Sequence, residues 1–344
     1  MTKAIKTAVV GYGFSAKTFH IPFVTTLAEF ELSAISTSNQ QAVAQDWPSA
    51  AHYSSAHDML SQSDAELVII TAPNDVHFEL AKLALENGKH VIIEKPFVTR
   101  VEDGEELIKL AEQKQRVLSV YHNRRWDGDF LTVKKMIEQG EFGELKHFES
   151  HFDRFRPQVR QRWREQATEG GGILFDLGPH LLDQALALFG LPEAITAQCS
   201  IMREGSNNVD HFDLTLHYPG HVAVLHADLF SAHPNQRFTI KGSKGSYVKY
   251  GLDPQEERLI AGQRPEQPCW ADEETDQYGR FYDGEGQRTI ATERGGYQHY
   301  FVKIAESIKH QTPPPVSAEE SLWNIKLIDL AMESNRTGQT IAVK

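Results

Sequence analysis

The sequence has little cysteine, no long apolar stretch and no excess of basic charge. Its 344 residues hold two cysteines, Cys199 and Cys269, far apart and each without a second thiol nearby. That excludes a CxxC redox pair, a cysteine metal site and a disulfide framework, and it suits a reducing compartment. A chain of this length buries a core without such staples, and its size suits two domains. The longest unbroken apolar run is five residues, 185–189, against the roughly 20 a membrane-spanning helix needs. Residues 1–10 lack the long apolar core and small-residue cleavage site of an export signal. A cytoplasmic protein is expected. Lys and Arg number 35 against 47 Asp and Glu, a formal charge of −12, and the basic residues are scattered. Without a basic face to neutralise phosphates, neither nucleic acid nor a membrane surface is an expected partner.

What is present in the first third is an alternation of short β-rich runs with helix-length segments, the pattern of βαβ units. Strands are predicted at 5–10, 32–36, 67–71, 90–93 and 117–121, with helices at 16–28 and 75–87, the second stopped by Gly88. Near-continuous Val, Ile and Leu in these strands means burial on both faces, so the fold class is α/β with a doubly wound parallel sheet. A boundary near His122 gives a nucleotide-binding domain over 1–122 and a second domain over 123–344. In the latter, polar and apolar residues alternate over 145–156, the period of a half-buried antiparallel strand. Further strands are predicted at 194–202, 211–217, 222–229, 237–241 and 245–250, and helices at 179–189, 297–310 and 318–336. This describes an α+β domain on an open, mostly antiparallel sheet. The polar, glycine-rich stretch 269–296 reads as irregular.

Gly11-Tyr12-Gly13-Phe14-Ser15-Ala16 follows the first strand and opens a helix, the context in which GxGxxG/A signals dinucleotide binding. Gly11 suits the tight turn, Gly13 lets the backbone approach a pyrophosphate, and Ala16 keeps the helix close to the sheet. The helix N-terminus offers free N–H groups to the phosphates. An ordinary glycine-rich turn is the bland alternative. An NAD enzyme places Asp or Glu about 20 residues on, at the end of the second strand. Glu31 has that spacing but stands at the strand's start, and the far end reads Ser36-Thr37-Ser38. Hydroxyls there suit a 2′-phosphate that a carboxylate would repel. NADP is therefore expected over NAD, although no Arg or Lys follows directly.

Two further motifs carry ionisable groups. Glu94-Lys95-Pro96 follows the fourth predicted strand, at the carboxyl end of a parallel sheet where ligands bind. Lys95 there can hold a substrate hydroxyl or tune a base; a surface Glu94–Lys95 pair is the alternative. In GGGILFDLGPHLLD, residues 170–183, Pro179 suits a helix start, so His180 falls in the first turn just after Asp176. The positive end of the helix disfavours an imidazolium, which leaves His180 able to accept a proton with Asp176 as its orienting carboxylate. A capping interaction is the alternative. His147 and His151 have HxxxH spacing, but four residues of strand span about 13 Å, so no metal site is expected. No GxSxG elbow is present, and nucleophilic hydrolysis is unsupported.

GYGFSA, EKP and DLGPH in this order resemble the glucose–fructose oxidoreductase, inositol dehydrogenase and rhizopine catabolism (Gfo/Idh/MocA) family of NAD(P)-dependent oxidoreductases, over almost the whole chain. YHNRRWD at 121–127, HFDRFRPQVRQRWRE at 151–165 and GSYVKYGLDPQEE at 245–257 are similar to the bacterial NADP-dependent scyllo-inositol dehydrogenases within it. The resemblance implies a Rossmann domain followed by an α+β domain whose open sheet mediates homodimers or homotetramers. It implies hydride transfer between NADP, or NAD, and a secondary alcohol of a cyclic polyol or sugar, with scyllo-inositol and its ketone as the expected pair.

Residue roles come with the resemblance. Lys95, Asp176 and His180 match the catalytic positions, His180 taking the hydroxyl proton, Lys95 holding the oxygen and Asp176 fixing the base. Asn123 and Asp183 join Lys95 at the substrate. Gly11, Tyr12, Gly13, Phe14 and Ser15 meet the cofactor, as do Ser36, Thr37 and Ser38, the turn residues Pro73, Asn74 and His77, Glu94 with Lys95, and Trp163 with Arg164. Some relatives are glycoside hydrolases that return the hydride within one turnover, and others are sugar-sensing regulators; both stand as alternatives. The retained trio weighs against a sensor, and the hydroxyls at 36–38 against a permanently held NAD.

Overall fold

The computed structural model describes residues 3–159 and 170–344. The chain begins with β1 (Ile5–Val10), a helix that opens as a π turn (Ala16–His20) and continues as α1 (Ile21–Thr26), then β2 (Phe30–Ser36), α2 (Gln40–Asp46) and β3 (Ala51–Tyr53). It continues through α3 (Ala56–Gln62), β4 (Leu67–Ile70), α4 (His77–Glu86), β5 (His90–Ile93), α5 (Val101–Lys114) and β6 (Leu118–Val120). These six strands pair in parallel in the order β3-β2-β1-β4-β5-β6. All four residues of β4 are buried, because helices on both faces require an apolar side chain at every position. The order reverses between β1 and β4, and at such a switch point a crevice opens beyond the carboxyl ends of the strands.

Next come α6 (Gly128–Glu138), β7 (Leu145–His151), α7 (Gly172–Asp176), α8 (Gly178–Phe189), β8 (Ala194–Ser200), β9 (His211–Tyr218), β10 (His221–Asp228), β11 (Gln236–Gly242) and β12 (Ser246–Tyr250). They are followed by α9 (Gln255–Ile260), β13 (Gly279–Tyr282), β14 (Gln287–Ile290), α10 (Gln298–His310), α11 (Ala318–Thr337) and β15 (Ile341–Ala342). Nine strands form the second sheet in the order β14-β13-β12-β11-β7-β10-β9-β8-β15. Only β7 with β10 is a parallel pair. One face buries Phe148, Leu214, Leu225 and Ile240 in a core shared with Leu181 and Leu182 of α8. Alternation leaves His147, Glu149 and His151 of β7 on the opposite face.

The chain divides into two compact units that are not contiguous in sequence. The first takes residues 1–123, 255–270 and 296–323, the second 124–254, 271–295 and 324–344. A single cut at 122/123 counts 255–270 and 296–323 with the second domain. Aromatic packing within the first unit explains their place there. Phe301 stacks on Phe23 with ring centroids 5.0 Å apart, Tyr300 meets Tyr121 edge-on at 4.9 Å, and the Tyr300 hydroxyl donates to Ser119 Oγ at 2.9 Å. The expectation that 269–296 is irregular is corrected: β13 and β14 form an antiparallel hairpin at the sheet edge. Its turn is closed by Asp283 Oδ1, which accepts the N–H groups of Glu285 at 3.0 Å and Gly286 at 2.8 Å. Among the described residues no helix is long and apolar enough to cross a membrane.

Candidate functional site

In the first unit the site begins where β1 ends. Gly11 has φ +92°, and its N–H donates to the Ser36 carbonyl at 2.9 Å. A Cβ there would stand 2.7 Å from Thr71 Oγ1, so both backbone conformation and close approach demand glycine. At Gly13 a Cβ would meet nothing within 4 Å, and the backbone faces open space just before a helix. A Gly-lined approach to a helix N-terminus at the sheet's switch point is what a dinucleotide pyrophosphate requires. The residues present fit that group. Phe14 is 59% exposed beside this opening. Tyr12 is turned to α2, where its hydroxyl donates to Asp46 Oδ2 at 2.6 Å beneath Lys17, whose Nζ lies 4.1 Å from the ring centroid.

At the end of β2, Ser36 is buried and its carbonyl is taken by Gly11. Thr37 is half-buried, with its hydroxyl accepting the Asn39 N–H at 3.2 Å, and Ser38 is exposed. Thr37 and Ser38 are thus the outward residues of this strand end. After β4, Pro73 is exposed and Asn74 opens a short 3-10 turn. His77 is fully buried, and its ring nitrogens lie 3.0 Å from the carbonyl oxygens of Ala72 and of Pro96. Burial pushes its pKa down, and a neutral ring donates to one of the two. His77 thereby ties the turn after β4 to the bend after β5, where a cis peptide bond joins Lys95 to Pro96.

Glu94 clamps the same region. One carboxylate oxygen accepts from the Ser15 hydroxyl and lies 2.8 Å from His20 Nε2. The other accepts the Lys95 backbone N–H at 3.2 Å. Burial opposes ionisation of Glu94, but the bonds and charge of His20, the Ser15 hydroxyl and the Lys95 charge outweigh it and bring its pKa down to about 2. The π turn aims His20 inward, against Tyr121 at 4.4 Å.

Because the folded pKa of Glu94 lies below its ordinary 4.5, the ionised side chain stabilises the fold above that pH. The contribution fades as pH falls from about 4.5 to about 2. Glu94→Gln should cost about 1–3 kcal/mol near neutrality, the range of a hydrogen-bonded charge, with a smaller penalty at pH 3. Urea midpoints at both pH values check this; an equal penalty would show that the charge is not the cause.

In the second unit, Gly172 has φ +80°, and a Cβ there would stand 2.8 Å from the Val209 carbonyl. That carbonyl also accepts the Ile173 N–H at 3.0 Å, so the glycine run seats α7 against the start of β9. Pro179 then lies at the start of α8. The rotation of α8 is set one turn beyond His180. Arg125 grips Asp183 with a fork, Nε to Oδ2 at 2.8 Å and Nη2 to Oδ1 at 2.7 Å. Gln184 donates to the Arg124 carbonyl at 2.7 Å and accepts from Arg237 Nη2 at 2.6 Å. The wholly buried Arg237 also donates to Asp129 at 3.1 Å and Ser150 at 2.6 Å. Its guanidinium lies over the Phe152 ring at 4.3 Å. His180 is buried, edge-on to Phe152 at 6.2 Å. Asp176 Oδ2 lies 3.8 Å from Arg154 Nη1.

The first unit therefore carries Gly11 to Ser15, Ser36 to Ser38, Pro73, Asn74, His77, Glu94, Lys95 and the buried Asn123. The second carries Asp176, His180 and Asp183. Trp163 and Arg164 lie outside the described residues. Motif spacing misses His20, Arg125 and Arg237. The Arg pair stands inside YHNRRWD, but nothing in a single sequence links Arg125 to a carboxylate 58 residues away.

Residues 5–122 match the family described as an oxidoreductase family with an NAD-binding Rossmann fold. Residues 134–343 match the oxidoreductase family's C-terminal alpha/beta domain. The chain is 43% identical over 345 residues to the oxidoreductase YdgJ of Escherichia coli (strain K12), covering 100% of both. It is 40% identical to the scyllo-inositol 2-dehydrogenase (NADP(+)) IolW of Bacillus subtilis (strain 168), covering 99% of this chain and 96% of that one. Among solved structures, yvaA of Bacillus subtilis superposes with a TM-score of 0.96 at 39% identity, over 100% of this chain and 99% of that one. YPO2259 of Yersinia pestis gives 0.94 at 40% identity, over 100% and 98%.

Proposed function

The chain belongs to the Gfo/Idh/MocA family of oxidoreductases, and on that premise we propose that it transfers a hydride between NADP and a ring carbon of a cyclic polyol, with scyllo-inositol and its ketone as the pair. The observation that carries this reading is 40% identity to a scyllo-inositol 2-dehydrogenase across nearly the full length of both chains. The protein is proposed to work in the cytoplasm as a homodimer or homotetramer.

Gly11, Gly13, Phe14 and Ser15 would hold the pyrophosphate, Thr37 and Ser38 the 2′-phosphate, and Pro73, Asn74, Lys95, Trp163 and Arg164 the remainder of the cofactor. Ser36, Tyr12, His77 and Glu94 support these contacts as positioning residues. The chemistry a bound nicotinamide supplies is acceptance or return of a hydride. His180 takes the hydroxyl proton during oxidation and gives it back during reduction, and a positioned base of this kind is worth about 10²–10⁴ in rate. The Lys95 ammonium donates to the same hydroxyl oxygen and stabilises its developing negative charge. Asp176 orients His180, Asn123 offers an amide to a polyol hydroxyl, and Asp183, held by Arg125, fixes the helix face that presents the base.

Initial rates of nicotinamide reduction with NADP or NAD and a panel of scyllo-inositol, myo-inositol and glucose test the reading. The highest kcat/KM should fall to NADP with scyllo-inositol, and silence with every polyol would remove it. Thr37→Asp adds a carboxylate where the 2′-phosphate would sit. It should move the NADP-to-NAD ratio of kcat/KM toward NAD by about tenfold or more, the equivalent of one charge-assisted hydrogen bond. A ratio that stays put would remove this strand end from ribose recognition.

A further inference from the structure

The face of the nine-stranded sheet turned away from the apolar core carries a side-chain cluster that the proposed chemistry does not use. In register, His151 of β7 stands beside His226 of β10, and His226 stands opposite Asp213 of β9. Neighbouring strands lie about 4.7–4.9 Å apart, so side chains in one row meet; the His151 and His226 ring centroids are 4.8 Å apart. Asp153 follows His151 by two residues and returns to it, with Oδ2 3.0 Å from His151 Nδ1.

Each imidazole is held at one nitrogen by an outer carboxylate. His226 Nδ1 lies 2.7 Å from Asp213 Oδ1, and His151 Nε2 lies 2.7 Å from Glu149 Oε1. The remaining nitrogen of each is turned to Asp153, with His226 Nε2 3.4 Å from Oδ1 and also 3.5 Å from Asp228 Oδ2. The Asp153 side chain is 3% exposed, and its Oδ1 is buried with no hydrogen-bond partner among the described residues. Its close polar neighbour is His226 Nε2 at 3.4 Å, a long contact for a buried carboxylate oxygen. A carboxylate at the far nitrogen of an imidazole is also the usual outer shell of a bound metal.

We propose that His151 Nδ1, His226 Nε2 and the Asp153 carboxylate form a binding site for a borderline divalent cation of the Zn2+ type. One ligand atom from each of the three lies within 4.8 Å of the others, so small side-chain rotations bring them to zinc bonds of about 2.0–2.2 Å. Two imidazoles with one carboxylate select zinc or cobalt over magnesium and calcium, which take oxygen sets. The HxxxH spacing inside β7 contributes only His151; the second imidazole comes from another strand, which is why reading one strand predicts no metal. All three ligands come from one chain.

The test is titration of chelator-treated protein with Co2+ alone, followed by visible absorption, with Zn2+ then added to displace it. One Co2+ per chain with a visible band lost on adding Zn2+ is expected. His226→Gln and the nearly isosteric Asp153→Asn should each weaken Co2+ by at least about tenfold, and His180→Gln should not. Circular dichroism establishes that each variant is folded. Zn2+ should also raise the Tm of the unaltered chain more than that of either variant. A chain that binds no stoichiometric Co2+, a band that survives both variants, or one that disappears only with His180→Gln would overturn the site.

Discussion

Replacing His180 with Ala is expected to lower kcat for scyllo-inositol oxidation by about 10²–10⁴-fold, the share of a positioned general base, while NADP binds as before. The glycine turn that fits the pyrophosphate lies in the first unit and His180 in the second. Moreover, Asp183 and Gln184 anchor α8 to Arg125, to the Arg124 carbonyl and to Arg237, and these bonds remain after the truncation. Fluorescence titration with NADPH and steady-state kinetics separate the two effects. His180→Gln, which keeps much of the volume, should lose rate equally. Turnover within a few-fold of the unaltered protein would remove His180 as the base.

Arg237→Leu is expected to cost about 3–5 kcal/mol of stability, the penalty for removing one partner of a buried pair. The side chain is 0% exposed and Asp129 is 1% exposed, so the deletion leaves a buried carboxylate without its ion-pair partner. Burial itself pulls the Arg237 pKa down against the attraction of Asp129 and Asp127. Burial likewise holds the Asp127 carboxyl above its usual range against the pull of Arg124. The same deletion strips donors from Ser150 and Gln184. Urea denaturation measures the loss, and Asp129→Asn in the Arg237→Leu background should recover part of it by removing the stranded charge. A loss under about 1 kcal/mol would mean that the network does not hold the second unit together.

Much of the parallel sheet is legible in the sequence because burial on both faces writes an unbroken apolar run at each strand, as in Leu67 to Ile70. Several of the elements that escape are only partly buried. β3 is Ala-His-Tyr with no fully buried residue. In α5 only Gly104, Leu107 and Ala111 are buried in 14 residues, and β14 is almost entirely exposed at the sheet edge. The same logic applies to the candidate site. Gly11, Gly13, Glu94 and His180 stand at the ends of elements, within short strings whose spacing has a physical reason. His20 with Glu94 and Arg125 with Asp183 are joined only by folding, across 74 and 58 residues. The return of α10 to the first unit is of the same kind, since Phe301 finds Phe23 through a packing geometry no local period records.

The most direct test of the central claim is transfer of label from scyllo-inositol carrying deuterium on its ring carbons. Incubation with the protein and NADP should yield reduced cofactor one mass unit heavier, in step with formation of the ketone. Unlabelled or unreduced NADP after prolonged incubation, with the polyol unchanged, would contradict the account.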